Sequence, residues 1–189
     1  MPTAVAPAWP ARLTSDLLAS DRRAREIAGG LTFAQLTWKP RPDAWSVGQC
    51  LQHLRIATDV YLPPIALALE GRPHAPVHEI TPGWFARWFI RSYVAASDQQ
   101  KKAPAPRKID PGPHVAPDVL EAFLRSNETA RRAIERAAPY DVNGIRFVNP
   151  FVPLLRFTVG TGLEIIARHE DRHLLQAERV RAQPGFPAA

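Results

Sequence analysis

Proline restricts this chain more than any other residue. Its 189 residues hold 20 prolines against 10 glycines, where ordinary usage is about 5% Pro and about 7% Gly. Proline fixes φ and has no backbone N–H, so it cannot donate to a sheet ladder or sit freely in a helix interior. One long coiled coil is excluded, and a sheet of many central strands is disfavoured. The prolines cluster at the termini, in TWKPRPDAW at 37–45, and at Pro104, Pro106, Pro111, Pro113 and Pro117. Pro63-Pro64 lies apart from these clusters.

The stretches between the clusters carry helical spacing. Leu13, Leu17, Leu18 and Ile27 predict a helix over 10–29, stopped by Gly29-Gly30. A shorter pattern spans Leu31 to Leu36. Ser46 and Gln49 form a capping box for a second helix, with Trp45 placed to staple onto its first turn. Leu51, Leu54, Ala57, Val60 and Tyr61 carry that helix to Pro63-Pro64, where a kink is expected before the pattern continues to Gly71. Residues 84–97 predict a short amphipathic helix with Trp84/Trp88 and Phe85/Phe89 pairs. Residues 103–117 read as a structureless crossover, and 117–138 as a third long helix with Leu120, Phe123, Leu124 and Ile134 on its buried face. The 140–157 stretch, limited by Pro150 and Pro153, is an extended loop or small hairpin. Thr161 and Glu164 predict a capping box for a fourth helix ending before Pro184. These elements make an all-α four-helix bundle, one domain over residues 1–189, with a long Pro-rich crossover between helices two and three.

The formal charge is +6. The basic residues are scattered in pairs such as Arg22-Arg23, Lys101-Lys102 and Arg131-Arg132, most of them among acids. That pattern argues against nucleic-acid binding and for a solvated surface, which could help attract an anionic small substrate. The start MPTAVAPAWPARL has no apolar run of signal-peptide type, and no stretch approaches the ~20 apolar residues of a membrane span. A cytoplasmic protein without membrane contact is expected. The lone Cys50 excludes a disulfide framework and a multi-cysteine zinc site, so any metal falls to His, Asp or Glu. Cys50 itself reads as a small buried apolar residue.

Six histidines are present. His169 and His173 lie four apart on the fourth helix, which turns them by ~40° over a rise of ~6 Å, so both imidazoles leave one face. His53 sits on the second helix beside Leu54 and Ala57, on the side expected to face the bundle interior. Metal sites in bundles are built from facing helices in this way. Three neutral imidazoles suit Zn²⁺ or Ni²⁺ and leave a position for water or substrate. His74 and His78 flank Pro76, which rules out helical geometry, and His114 lies among the crossover prolines. These three read as exposed loop residues.

His169-Glu170-Asp171-Arg172-His173 also matches the zinc-peptidase pattern H-E-x-x-H, in which Glu170 would act as general base. The surroundings argue against a peptidase. The extended motif wants Gly and His where this chain has Gln176 and Arg179, and there is no edge strand to hold a peptide.

Taken in order, these motifs resemble those of the DinB-like (YfiT-like) superfamily. Trp45-Ser46-Val47-Gly48-Gln49-Cys50-Leu51-Gln52-His53-Leu54, followed by Asp59, resembles the start of that family's second helix. His169-Glu170-x-x-His173-x-x-Gln176 resembles the close of its pattern, 116 positions after His53. The aromatic segment near Trp84 and the Pro-rich crossover fit the family's long middle connection. The resemblance implies an up-down-down-up bundle, a divalent metal on His53, His169 and His173, and a homodimer. One departure stands out: where the family often carries an HHxGQ-type string, this chain has Arg172-His173-Leu174-Leu175-Gln176.

Family activities include transfer and isomerisation reactions that use low-molecular-weight thiols such as bacillithiol and mycothiol. The resemblance therefore implies a metal-dependent thiol S-transferase acting on small electrophiles, with the metal lowering the pKa of the thiol. Arg55 or Arg172 would receive the thiol's carboxylates. The alternatives are a hydrolase that uses metal-bound water, with Glu170 or Asp171 as base, and a non-catalytic metal-stabilised binding protein. Glu170, Asp171 and Arg172 are the candidate catalytic residues.

Overall fold

The structure is a computed structural model, and it describes residues 7–95, 106–151 and 154–188. Four long helices form its body: α1 (Trp9–Ala28), α3 (Val47–Leu69), α5 (Val119–Ala137) and α6 (Val159–Arg181). Two short helices, α2 (Phe33–Thr37) and α4 (Trp84–Phe89), sit in the connections, and α4 runs on into a single π-helical turn at Ile90–Val94. Strands β1 (Arg146–Val148) and β2 (Arg156–Thr158) pair antiparallel with Phe147 opposite Phe157. The expectation of a simple four-helix bundle is therefore corrected. The domain is all-helical in its core, but the described residues hold six α-helices and a two-stranded hairpin.

Each of α1 and α3 packs on both α5 and α6. Arg12 pairs with Glu164 near the starts of α1 and α6, and Arg23 with Glu178 near their ends, so these helices run in the same direction. Helix α3 runs against α6: Ile65, late in α3, lies against Gly162, early in α6. A Cβ at Gly162 would also stand 2.7 Å from Phe147 Cε1, so the bare glycine lets the hairpin lie flat on α6. Phe123, early in α5, shares a cluster with Leu51 of α3 and Ala24 of α1. Ile134, late in α5, packs with Ile65 and Leu13. Helix α5 therefore runs with α3 and against α1.

The local signals mostly act as the sequence suggests. Ser46 caps α3, its side chain accepting from Gln49 N–H while Gln49 reaches back to the Ser46 backbone. Such a cap contributes about 1 kcal/mol. The same box recurs at Thr32 and Gln35 in front of α2. Helix α3 runs through Pro63 and Pro64 to Leu69.

Two local expectations are corrected. The α6 cap is Thr158, which accepts from Thr161 N–H, so the helix starts before the Thr161–Glu164 box read from the sequence. Glu164 is drawn instead into an ion pair with Arg12. The crossover is also not structureless where it is described: Arg107–Ile109 forms a 3₁₀ turn. Residues 96–105, which hold the end of the predicted 84–97 helix and the start of the crossover, lie outside the described residues.

The crossover lies along α3. Gln49 Nε2 donates to Gly112 O at 2.6 Å, and Gln52 Nε2 donates to Pro111 O at 2.6 Å and His114 O at 2.7 Å. A Cβ at Gly48 would stand 2.6 Å from Val115 Cγ1 and 2.9 Å from Leu36 O, so only glycine permits this approach. No helix among the described residues is long and apolar enough to cross a membrane.

The core is divided. One apolar cluster gathers Trp9, Leu13, Leu17, Ile65, Ile134 and Leu163. The other gathers Ala24, Leu51, Leu54, Phe123, Leu174 and Ala177. Between them every long helix turns polar residues inward: Ser20 and Asp21 from α1, His53 and Thr58 from α3, Ser126 and Asn127 from α5, Glu170 and His173 from α6. This polar layer holds the candidate site.

Candidate metal centre

Three imidazoles meet in the half of this layer that lies between α3 and α6. The Ser46 cap fixes the first turns of α3 and so the inward direction of His53, which is 2% exposed. His169 and His173 follow one another on the facing side of α6. His173 is buried and His169 keeps part of its surface open. One ring nitrogen from each of the three lies within 4.8 Å of the others. The ring centroids are 4.4–4.9 Å apart, crossing edge to face.

The hydrogen bonds orient these rings. His53 Nδ1 lies 2.6 Å from Ile109 O. A carbonyl only accepts, so Nδ1 carries the proton and Nε2 presents its lone pair. His173 Nδ1 lies 2.9 Å from Gln176 Oε1, which also accepts, and this again frees Nε2. A second partner that fixes the tautomer in this way is the usual arrangement for a metal-ligating histidine. His53 Nε2 and His169 Nε2 are 3.2 Å apart. Two nitrogens at ~2.0–2.1 Å from one tetrahedral ion stand about 3.3 Å apart, so the donor set fits a divalent ion.

Electrostatics keep the three rings neutral. Burial pulls His53 down to about 4, with the Ile109 hydrogen bond opposing and Arg172 adding to the fall. Burial likewise holds His169 and His173 well below the usual histidine value; His169 also feels His53 and Arg172, and His173 feels both other imidazoles and Arg172. Neutral imidazole is the form that binds metal.

Trp45 closes one side. Its ring lies 4.7 Å from that of His53 and 5.5 Å from that of His173. The sequence placed Trp45 only as a staple for the helix start. On another side, Arg172 Nη1 donates to Tyr93 O in the π-helical turn. Burial lowers the Arg172 pKa. The carbonyls of Ile109 and Tyr93 carry no side-chain signature. The nearest available hint was the pair Gln49 and Gln52, spaced to clasp a neighbouring loop.

The other candidates fall elsewhere. Glu170 is fully buried, but its surroundings belong to α1 and α5: Asn127 Nδ2 donates to Glu170 Oε2 at 3.2 Å, Ser20 and Asp21 also act on its charge, and Oε1 has no partner among the described residues. Asp171 is exposed and stands 4.0 Å from Arg23. Arg55 is paired with Asp59 at 2.9 Å, and Asp59 also accepts from Ser126 Oγ. Cys50 is wholly buried, which pushes its thiol up and makes it inert. His74, His78 and His114 are exposed.

Among protein families, the DinB superfamily matches residues 17–177, a span that includes all three histidines. No curated protein matches the chain, and no solved structure does.

Proposed function

We propose that this chain, which belongs to the DinB superfamily, holds a divalent metal ion on His53, His169 and His173 and uses it in a reaction on a small molecule. The observation that carries this reading is the convergence of three neutral ring nitrogens, with two of the rings anchored through Nδ1. Zn²⁺ and Ni²⁺ suit such a donor set. When bound, the ion supplies Lewis acidity, which turns a coordinated thiol into a thiolate. Within that chemistry the reading is transfer of a low-molecular-weight thiol to a small electrophile. His53 and His173 are held in register by Ile109 and Gln176, and Trp45 shields their outer edge from water.

Hydrolysis is the second reading, and the placement of Glu170 weighs against it. The candidate base lies among α1 and α5 residues, away from the imidazoles. A metal-stabilised binding protein without catalysis is the third. The helix directions support the up-down-down-up course that the resemblance implies; a single domain and a homodimer are part of the same reading, carried by the sequence and the family resemblance.

Elemental analysis of the purified protein should find about one divalent ion per chain, and the triple variant His53→Ala/His169→Ala/His173→Ala should lose it. In a thermal-shift screen, a low-molecular-weight thiol should stabilise the metal-loaded form only. Thiol transfer that persists in the metal-free triple variant would overturn the transferase reading. Ester or amide turnover without added thiol would favour hydrolysis.

A further inference from the structure

Five arginines of this chain are half-buried: Arg12, Arg23, Arg55, Arg131 and Arg172. Four of them have a carboxylate in ion-pair contact. Arg12 has Glu164, Arg23 has Glu178, Arg55 has Asp59 and Arg131 has Asp21. Arg172 has none among the described residues; its partner there is the uncharged carbonyl of Tyr93. Removing a cation from water without a counter-charge is costly, so an unpaired guanidinium at this depth stands out against the habit of the rest of the molecule.

Its position gives that observation a direction. Arg172 lies three residues after His169 and next to His173, and its charge is felt by all three imidazoles. Those imidazoles are neutral, so a divalent ion on them would add two positive charges that they do not offset. Asp110, the acid that His53 feels, is exposed and makes no ion pair with Arg172. Among the described residues no carboxylate offsets that charge, which leaves a place for one on the ligand. The guanidinium is also half-fixed: Nη1 is held by Tyr93, which leaves the Nε–Nη2 edge, the fork that matches a carboxylate in two parallel hydrogen bonds. Trp88 and Phe89 pack on the Tyr93 ring, each at 5.6 Å, and stiffen the segment that holds Arg172.

We propose that Arg172 is the anchor for a carboxylate of the ligand, so that the site selects a small molecule with a metal-seeking group at one end and a carboxylate at the other. The proposal rests on the metal reading above and deepens it by fixing the charge of the ligand.

The test compares mercaptoacetate, which has a thiol and a carboxylate, with 2-mercaptoethanol, which has only the thiol. Calorimetric titration of zinc-loaded protein should show mercaptoacetate binding about tenfold or more tightly, the worth of one charge-assisted contact. Arg172→Gln should erase that preference while elemental analysis still finds zinc. Arg172→Lys should keep part of it, and this guards against misfolding of the glutamine variant. An unchanged preference in Arg172→Gln overturns the proposal. Inorganic phosphate competing better than acetate would overturn the assignment to a carboxylate. Failure of wild-type protein to hold zinc would overturn the metal reading instead. Acetate binding to the metal-free protein, lost in Arg172→Gln, would still support the anchor, and its absence there would overturn it.

Discussion

The polar layer has two halves, and they treat buried polarity in opposite ways. Between α1, α5 and α6, Arg131 Nη1 meets Asp21 Oδ2 at 2.7 Å, and Asn127 Nδ2 donates to Asp21 Oδ1 at 2.8 Å and to Glu170 Oε2 at 3.2 Å. Charge meets charge, and both Asn127 Nδ2 contacts end on carboxyl oxygens. The Glu170 carboxyl, pushed up to about 8 chiefly by burial, is neutral at pH 7. Between α3 and α6, three imidazoles aim at one another, the acid His53 feels is the exposed Asp110, and Arg172 nearby has no carboxylate in ion-pair contact among the described residues. The first half answers most of its polar demands with residues of the chain, leaving Asn127 Oδ1 and Glu170 Oε1 without a hydrogen-bond partner among the described residues. The second leaves lone pairs and a charge facing inward. Glu170 and His169 are adjacent in sequence, yet the ~100° turn between successive helical residues puts them in different halves.

Substitutions separate the two halves. Removing the acid from the closed half should cost most in stability. Asp21→Ala strands Arg131 and should lower unfolding free energy by about 3–5 kcal/mol in a urea titration, with metal content unchanged in protein that remains folded. If Asp21→Ala lost metal while keeping its stability, the two halves would not be separate. In the open half, Gln176→Ala removes the acceptor from His173 Nδ1. It should weaken metal binding about 10–100-fold, read by chelator competition, with little change in the urea midpoint. Glu170→Gln should be mild, within about 1 kcal/mol, because an amide replaces a carboxyl that is already neutral. It should also leave any activity intact, and an activity lost in this variant with metal retained would return Glu170 to the candidates for a base.

The smallest effect belongs to the surface pair between Arg23 and Glu178. Hydrogen bonding to Arg23 holds the Glu178 carboxyl below its usual value. A depressed acid adds stability that is present above its unfolded pKa and is lost as pH falls through the folded one. Glu178→Gln should therefore lower the neutral plateau slightly and flatten the acid limb of the stability curve below the ordinary glutamate range, with the two proteins converging at low pH.

Much of this is legible in the sequence. Capping at Ser46 and the spacing of Leu51 and Leu54 placed His53 inside, and the i, i+4 spacing placed His169 and His173 together. The sequence could not show where α6 begins, because Thr158 and Thr161 are both competent caps and the choice falls to Glu164, which Arg12 claims from across the bundle. Nor could it show the 3₁₀ turn in the crossover, since proline density reads as irregular backbone whether or not the chain docks. Ile109, which orients the His53 ring, and Tyr93, which holds Arg172, act through backbone carbonyls, which every residue has. Trp45 was visible as a packing residue, and its second contact, to the histidines, depends on how α6 lies against α3.

The bond from His53 to Ile109 spans 56 positions of sequence, and the loop it reaches hangs from Gln49 and Gln52. If that loop lifts, His53 Nδ1 loses its acceptor and the ring is released to turn over or to place its proton on either nitrogen. An ion that grips Nε2 then favours the docked loop by the same free energy by which the docked loop favours the ion. With an ion on the triad, its occupancy and the docking of the described crossover would be linked quantities, and the proline-rich connection would enter the binding equilibrium as much as the histidines do.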